Sequence, residues 1–243
     1  MRQMIAGNWK MNGTLAGLSA YASALRQGVE GVDLLVCPPF PLIRPLIEAL
    51  GDASIWVGAQ DCDAKRSGPH TGDVSADLLA ELGARHVILG HSERRADHGE
   101  SSTLVRDKAR AASAAGLVPV ICVGETEAER DAHETETVVR AQLAGSLPDG
   151  FSGLIAYEPV WAIGSGKTPS EDEVEAMHRA IRASLKKQLG EAGEAMPILY
   201  GGSVKPANAE TLMRIPEVGG ALVGGASLKA EDFLAIASAA VRD

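Results

Sequence analysis

Three side chains able to move a proton or hold a charge stand just after short apolar runs. Lys10 follows MIAGN (4–8) by way of Trp9, His91 follows HVILG (86–90), and Glu158 closes GLIAY (153–157) and precedes Pro159. Two turns rich in glycine and serine, Gly201-Gly202-Ser203 and Gly224-Gly225-Ala226-Ser227, follow two later runs. The amine is a fixed cation, the imidazole offers a ring N–H, and the carboxylate is a candidate base. Glycine-rich turns can present backbone N–H groups to an anion. This set suits proton abstraction next to a carbonyl on a small phosphorylated substrate. Taken singly, each residue has an ordinary reading as a solvated lysine, a core histidine or a turn. The chemistry depends on all of them meeting on one rim.

The elements that would bring them together are legible as an alternation. Eight short, β-rich apolar runs occur at MIAGN (4–8), DLLVC (33–37), IWVGA (55–59), HVILG (86–90), VPVICV (118–123), GLIAY (153–157), PILYG (197–201) and ALVGG (221–225). They are continuously apolar, as strands buried on both faces should be. Helical patterns lie between them. The clearest is 170–190, where Ser170 and Glu173 form a capping box and Val174, Met177, Ile181 and Leu185 make one stripe. Lys186 and Lys187 close that helix, and Gly190 stands where a C-terminal glycine belongs. The acid-rich 124–145 segment reads as a solvated helical face.

Eight β-then-α units in 243 residues fit a (β/α)8 barrel, typically of about 250 residues, or an open doubly wound sheet. A dinucleotide-binding sheet should carry G-x-G-x-x-G after its first strand. NWKMNG stands there instead, which favours one α/β barrel domain over 1–243. In such a barrel, chemistry gathers at the C-terminal strand ends, and phosphate at the loops after strands seven and eight.

The bulk composition excludes several classes. Hydrophobic residues make up 45% and charged residues 23%, and no apolar run approaches the roughly 18 residues of a membrane span. MRQMIAGNWK lacks the apolar core of a secretory signal, so a cytoplasmic location is expected. A net charge of −9 argues against nucleic acid or an anionic membrane as partner. It also means that an anionic substrate needs a local positive site strong enough to outweigh the global field. Three cysteines, Cys37, Cys62 and Cys122, without a CxxC, indicate neither a disulfide framework nor a zinc site. Gly164-Ser165-Gly166-Lys167-Thr168 mimics the end of a phosphate-binding P-loop, but Trp161 occupies the required first glycine.

The chain resembles the triosephosphate isomerase family through GNWKMNG (7–13), GPHTGDVS (68–75), GHSERR (90–95), YEPVWAIGSGK (157–167), YGGSVKPAN (200–208) and ALVGGASL (221–228). The resemblance implies an isomerase of glycolysis and gluconeogenesis that interconverts dihydroxyacetone phosphate and D-glyceraldehyde 3-phosphate through an enediol(ate), with no cofactor and no metal. It implies that Glu158 is the base, His91 a neutral electrophile whose ring faces a helix N-terminus, and Lys10 the cation. Asn8 would touch the substrate oxygens and Glu93 would position Lys10 and His91. Trp9, Gly164, Ser165, Ser203, Gly224 and Gly225 complete the implied substrate contacts. Residues 159–167 would form a lid with hinges at 159–161 and 165–167. The long 62–79 segment would enter the other subunit of a homodimer, with Thr71, Asp73 and Arg94 at that contact. Ser165 and Asp73 stand where the family commonly has Thr and Glu. Two rivals are a Schiff-base aldolase using Lys10 or Lys167 and a non-catalytic phosphate-binding barrel.

Overall fold

The computed structural model describes residues 2–165 and 167–241. Its strands are β1 (Gln3–Asn8), β2 (Val32–Cys37), β3 (Ile55–Ala59), β4 (His86–Leu89), β5 (Val118–Val123), β6 (Leu154–Tyr157), β7 (Ile198–Tyr200) and β8 (Gly220–Val223). All pair in parallel with their sequence neighbours, and β8 pairs with β1 to close a barrel. The helices are α1 (Leu15–Leu25), α2 (Ile43–Leu50), α3 (Ala76–Leu82), α4 (Ser92–Asp97), α5 (Ser102–Ala114), α6 (Glu127–Asp131), α7 (Thr135–Ser146), α8 (Glu171–Leu189), α9 (Glu191–Ala195), α10 (Pro206–Arg214) and α11 (Ala230–Ala239).

The continuous apolar runs are explained by two separate cores. Met4, Ala6, Leu35, Cys37, Ile88 and Leu199 belong to a cluster of strand residues that fills the barrel interior. Their neighbours Ile5, Leu34, Val36, Val87, Leu89 and Ile198 belong to the larger layer shared with the helices. Successive side chains of a strand point to opposite faces, so a strand covered on both faces must be apolar at every position. The seam that closes the ring requires a glycine. Gly220 has φ +143°, and a Cβ there would lie 1.9 Å from the Met4 carbonyl oxygen.

The predicted start of α8 is present in full. Ser170 N–H donates to Glu173 at 2.8 Å, Glu173 N–H donates to Ser170 Oγ at 3.3 Å, and Gly190 ends the helix at φ 62°. The single helical face expected over 124–145 is instead split into α6 and α7. A second capping box, Thr126 with Glu129, starts α6, and His133 at φ 59° breaks the path between them. Several strands are shorter than their apolar runs because the terminal glycines leave the sheet. Gly225, for example, begins a 3-10 turn, Gly225–Leu228. Cys37, Cys62 and Cys122 are buried free thiols. Among the described residues, no helix is long and apolar enough to cross a membrane.

Two buried histidines give the fold a pH dependence. His86 lies against Trp56, ring centroids 5.1 Å apart, with Nδ1 unpartnered. His178 lies against Tyr157 and Tyr200, with Nδ1 3.3 Å from the Glu217 carbonyl oxygen. Burial pushes both rings down to about 4, against about 6.5 in the unfolded chain. Between those values the unfolded state binds more protons, so stability rises with pH. Acidification from about 6.5 to 4 should therefore weaken the fold, with no further loss from these groups below 4. His178→Asn should flatten that slope by part, measured as unfolding free energy against pH; an unchanged slope would exclude His178 as a source.

Candidate functional site

A cavity of about 530 Å³ opens at the C-terminal end of the barrel. Asn8, Lys10, His91 and Glu158 line it together with Gly202, Ser203, Gly224 and Gly225, and Gly164 reaches it from the segment after Glu158. The base, ring, cation and glycine-rich turns predicted from separate segments thus share one space. Two further cations line the same wall, Lys205 and Lys229. Each follows one of the Gly/Ser turns, and the need to offset a net charge of −9 is the signal that could have found them.

His91 caps the N-terminus of α4. The Glu93 N–H donates to His91 Nδ1 at 3.2 Å, which leaves that nitrogen as an acceptor and puts the ring proton on Nε2. Nε2 faces Glu158 Oε1 at 2.9 Å. The other Glu158 oxygen accepts from the Ser92 N–H at 3.0 Å. Burial opposes a charge on His91, but the Glu158 carboxylate, with Glu93 behind it, outweighs burial and raises the ring's pKa; Lys10 works the other way. Burial likewise favours a neutral Glu158, yet His91, the Ser92 N–H and Lys10 hold its carboxyl below the usual range. Both shifts arise chiefly from the one contact between this carboxylate and this ring.

Lys10 is anchored at both ends. Its Nζ lies 2.5 Å from Glu93 Oε1, its N–H donates to Asn8 Oδ1 at 3.0 Å, and its backbone sits at φ 52°. Glu93 therefore touches both Lys10 and the His91 ring: its side chain pairs with Lys10, its N–H donates to His91 Nδ1, and its second carboxylate oxygen lies 3.6 Å from the same ring nitrogen. The segment carrying His91 and Glu93 is fixed from behind by a buried ionic group. Lys108 Nζ donates to both Asp61 oxygens at 2.8 Å and to Glu100 at 2.6 Å, and Arg94 reaches Glu100 at 2.7 Å and Asp61 at 2.9 Å.

Glu158 is held from the β5 side by close backbone packing. A Cβ on Gly124 would lie 1.7 Å from the Glu158 carbonyl oxygen. The Gln142 side chain grips Gly124, accepting from its N–H at 2.8 Å and donating to its carbonyl at 2.9 Å. Gln142 belongs to no motif, and nothing in its sequence surroundings signals this role.

The loop after Glu158 is tied to the outer wall of the barrel. Trp161 Nε1–H donates to Glu125 at 2.7 Å, Tyr157 donates to the same carboxylate, and Arg130 lies 3.7 Å above the indole ring. Lys167 pairs with Glu127, and Ser203 Oγ donates to the Ala162 carbonyl at 2.9 Å. Residues 160–162 form a 3-10 turn, and Gly164 takes φ 69°. The expected second hinge includes Gly166, which lies outside the described residues.

Two expectations are placed differently. Trp9 does not line the cavity; it is buried, edge-on to Tyr21 at 4.8 Å. Ser165 turns back on its own loop, donating to the Trp161 carbonyl at 2.8 Å. Arg94 is engaged within its own chain by Asp61 and Glu100. Thr71 and Asp73 lie exposed on the 62–79 segment. A groove of about 580 Å³ beside Lys10, lined by Met11, Phe40, Gln60, Arg94 and His98, is separate from that segment.

The chain is similar to known proteins over nearly its whole length. A sequence model of the triosephosphate isomerase family matches residues 3–240. The triosephosphate isomerase of Acidiphilium cryptum (strain JF-5) is 72% identical, with 100% of each chain covered. That of Granulibacter bethesdensis (strain ATCC BAA-1260 / CGDNIH1) is 57% identical over 98% of this chain and 99% of the relative. The crystal structure of triosephosphate isomerase from Bartonella henselae superposes with a TM-score of 0.92 at 45% identity, covering 98% of this chain and 99% of that one.

The packing at Gly124 can be probed directly. Gly124→Ala should displace the Glu158 backbone and lower the thermal midpoint by roughly 2–10 °C. An unchanged midpoint would show that β5 and β6 can separate there without cost.

Proposed function

The chain belongs to the triosephosphate isomerase family, and from that premise we propose how its own residues divide the work. The reaction interconverts dihydroxyacetone phosphate and D-glyceraldehyde 3-phosphate, an aldose–ketose isomerisation of glycolysis. The observation that carries the assignment of roles is the convergence of Glu158, His91 and Lys10 on one cavity walled by the 201–203 and 224–225 turns.

Glu158 removes the proton from one substrate carbon and returns it to the neighbouring one. In the resting arrangement its carboxylate accepts from His91 Nε2–H. A bound substrate's carbonyl oxygen takes over that ring proton as hydrogen-bond acceptor and frees the carboxylate to face carbon. Once the carboxylate leaves, the main influence raising the His91 pKa leaves with it. The Glu93 N–H at Nδ1 then keeps the ring neutral, and a neutral ring can donate to the enediolate oxygen without surrendering a full proton. Tuning of a histidine by a helix N-terminus is an established property of this enzyme class. In this chain the short helix α4 supplies the N–H.

Lys10 supplies the charge that offsets the acidic protein, Asn8 contacts the substrate oxygens, and Ser203, Gly224 and Gly225 receive the phosphate through backbone N–H groups. Gly164 joins them when the 159–167 loop moves over the cavity, which shuts water out from the intermediate. We further propose that 1–243 acts as one barrel domain, in the cytoplasm, as a homodimer. Met11 is 96% exposed beside the groove at Lys10, and the 62–79 segment of a second copy would cover it. Sedimentation of the purified chain tests the dimer.

Two variants test the roles. Glu158→Asp withdraws the base by one methylene and should lower kcat on the order of 10²-fold, with KM changed far less; a kcat near wild type would remove Glu158 as base. Lys10→Ala should raise KM roughly 10- to 100-fold, the worth of a hydrogen-bonded charge, and an unchanged KM would contradict its role. A chelator should leave the rate unaltered, whereas borohydride trapping of a covalent substrate adduct would favour the aldolase alternative.

A further inference from the structure

Lys10 is held in a backbone conformation that residues with a Cβ avoid, φ 52°. Such a conformation persists only where surrounding contacts over-determine it. Two contacts do so here. The Lys10 N–H donates to Asn8 Oδ1 at 3.0 Å, and the Lys10 carbonyl accepts from Gln60 Nε2 at 2.9 Å. The same Gln60 nitrogen donates its second proton to the Cys37 carbonyl at 2.9 Å. That carbonyl also accepts from the Trp9 N–H at 3.1 Å. Both protons of one primary amide are thus spent on backbone oxygens, one at the end of β2 and one at Lys10. Gln60 itself directly follows β3.

We propose that Gln60 is a positioning residue for the triose-phosphate reaction, its amide fixing the left-handed turn at Lys10 that aims the ammonium into the cavity. The proposal rests on the reading of Lys10 as the substrate-binding cation. Gln60 lines the adjoining groove rather than the cavity and spends its amide on the Lys10 and Cys37 carbonyls, so it acts through Lys10. The division of labour is geometric. Glu93 pulls on the far end of the side chain at 2.5 Å, while Gln60 sets the direction in which the side chain leaves the backbone. With the carbonyl released, the turn can relax to negative φ, and Cβ swings away from the direction that reaches both Glu93 and the cavity. A primary amide carries two N–H groups on one nitrogen, so it serves both oxygens without adding a charge beside the ammonium.

A double-mutant cycle in the full-length chain tests this. Gln60→Met keeps the length of the side chain and removes both donors. It should lower kcat/KM about tenfold, chiefly by raising KM. In a Lys10→Ala background, where there is no ammonium left to aim, the same change should alter kcat/KM less than about twofold. An equal loss in both backgrounds, or a loss in kcat with KM unchanged, would overturn the proposal. Should Q60M fail to fold, Gln60→Asn, which keeps the amide but withdraws it by one methylene, runs through the same cycle. An unaltered KM in the single Lys10→Ala variant would remove the reading of Lys10 itself, and that result is obtained independently of Gln60.

Discussion

Parallel pairing around a closed ring sends the carboxyl end of every strand to the same rim. The rest of the site depends on that constraint. Asn8 and Lys10, His91, Glu158, Ser203 and Gly224 are separated by as much as the length of the chain, yet each lies within a few residues of a strand terminus. Closure through the β1–β8 pair, made possible by the close approach at Gly220, brings the first and last of these into one cavity. Without the seam, the cation of the first loop and the glycine-rich turn of the eighth would lie at opposite edges of an open sheet. Lys10 Cε is 3.6 Å from where a Gly224 Cβ would stand, a measure of how near the two loops come.

The second constraint is charge. A protein of net charge −9 that receives a phosphorylated substrate must make its mouth locally positive. Lys10, Lys205 and Lys229 all line the cavity, and the turns at 201–203 and 224–225 add backbone dipoles with no charge to desolvate. Glu93 lies against the Lys10 ammonium at 2.5 Å. The strained backbone at Lys10 and the ion pair to Glu93 together make a cation with a fixed position. A freely rotating lysine would offer the same formal charge and lose more conformational entropy on binding.

The fold and the central residues are legible in the sequence because both rest on local signals. Strands covered on two faces are apolar throughout, and capping boxes such as Ser170–Glu173 need only four consecutive residues. Trp9 shows where such reading fails, because adjacency in sequence is not adjacency in the site. A strand end turns successive side chains to opposite sides, and Trp9 falls on the core side against Tyr21. Gln60, Gln142, Glu125 and Arg130 carry no local signal because their work is done on distant backbone or on an indole ring. Such contacts leave no periodicity and no spacing rule. The break at His133 is hidden for a similar reason: an acid-rich segment has no apolar stripe whose phase could reveal an interruption.

The resting site also shows why a buried carboxylate can be stored without losing its reactivity. Glu158 is 2% exposed, and burial alone would favour its neutral form. His91, the Ser92 N–H and Lys10 offset that, through the ring contact at 2.9 Å, the backbone hydrogen bond at 3.0 Å and the ammonium's charge. The His91 proton is available to Glu158 because the Glu93 N–H occupies Nδ1. The start of one short helix therefore sets the ring tautomer and adds the Ser92 N–H to the His91 contact that chiefly keeps the carboxylate ionised. The ionic group of Lys108, Asp61, Glu100 and Arg94 holds that helix from behind. In the proposed reaction, a group ionised in this way needs only an exchange of hydrogen-bond partners to become a base. The substrate's carbonyl oxygen supplies that exchange in the same proposal, at the ring nitrogen that holds the carboxylate at rest.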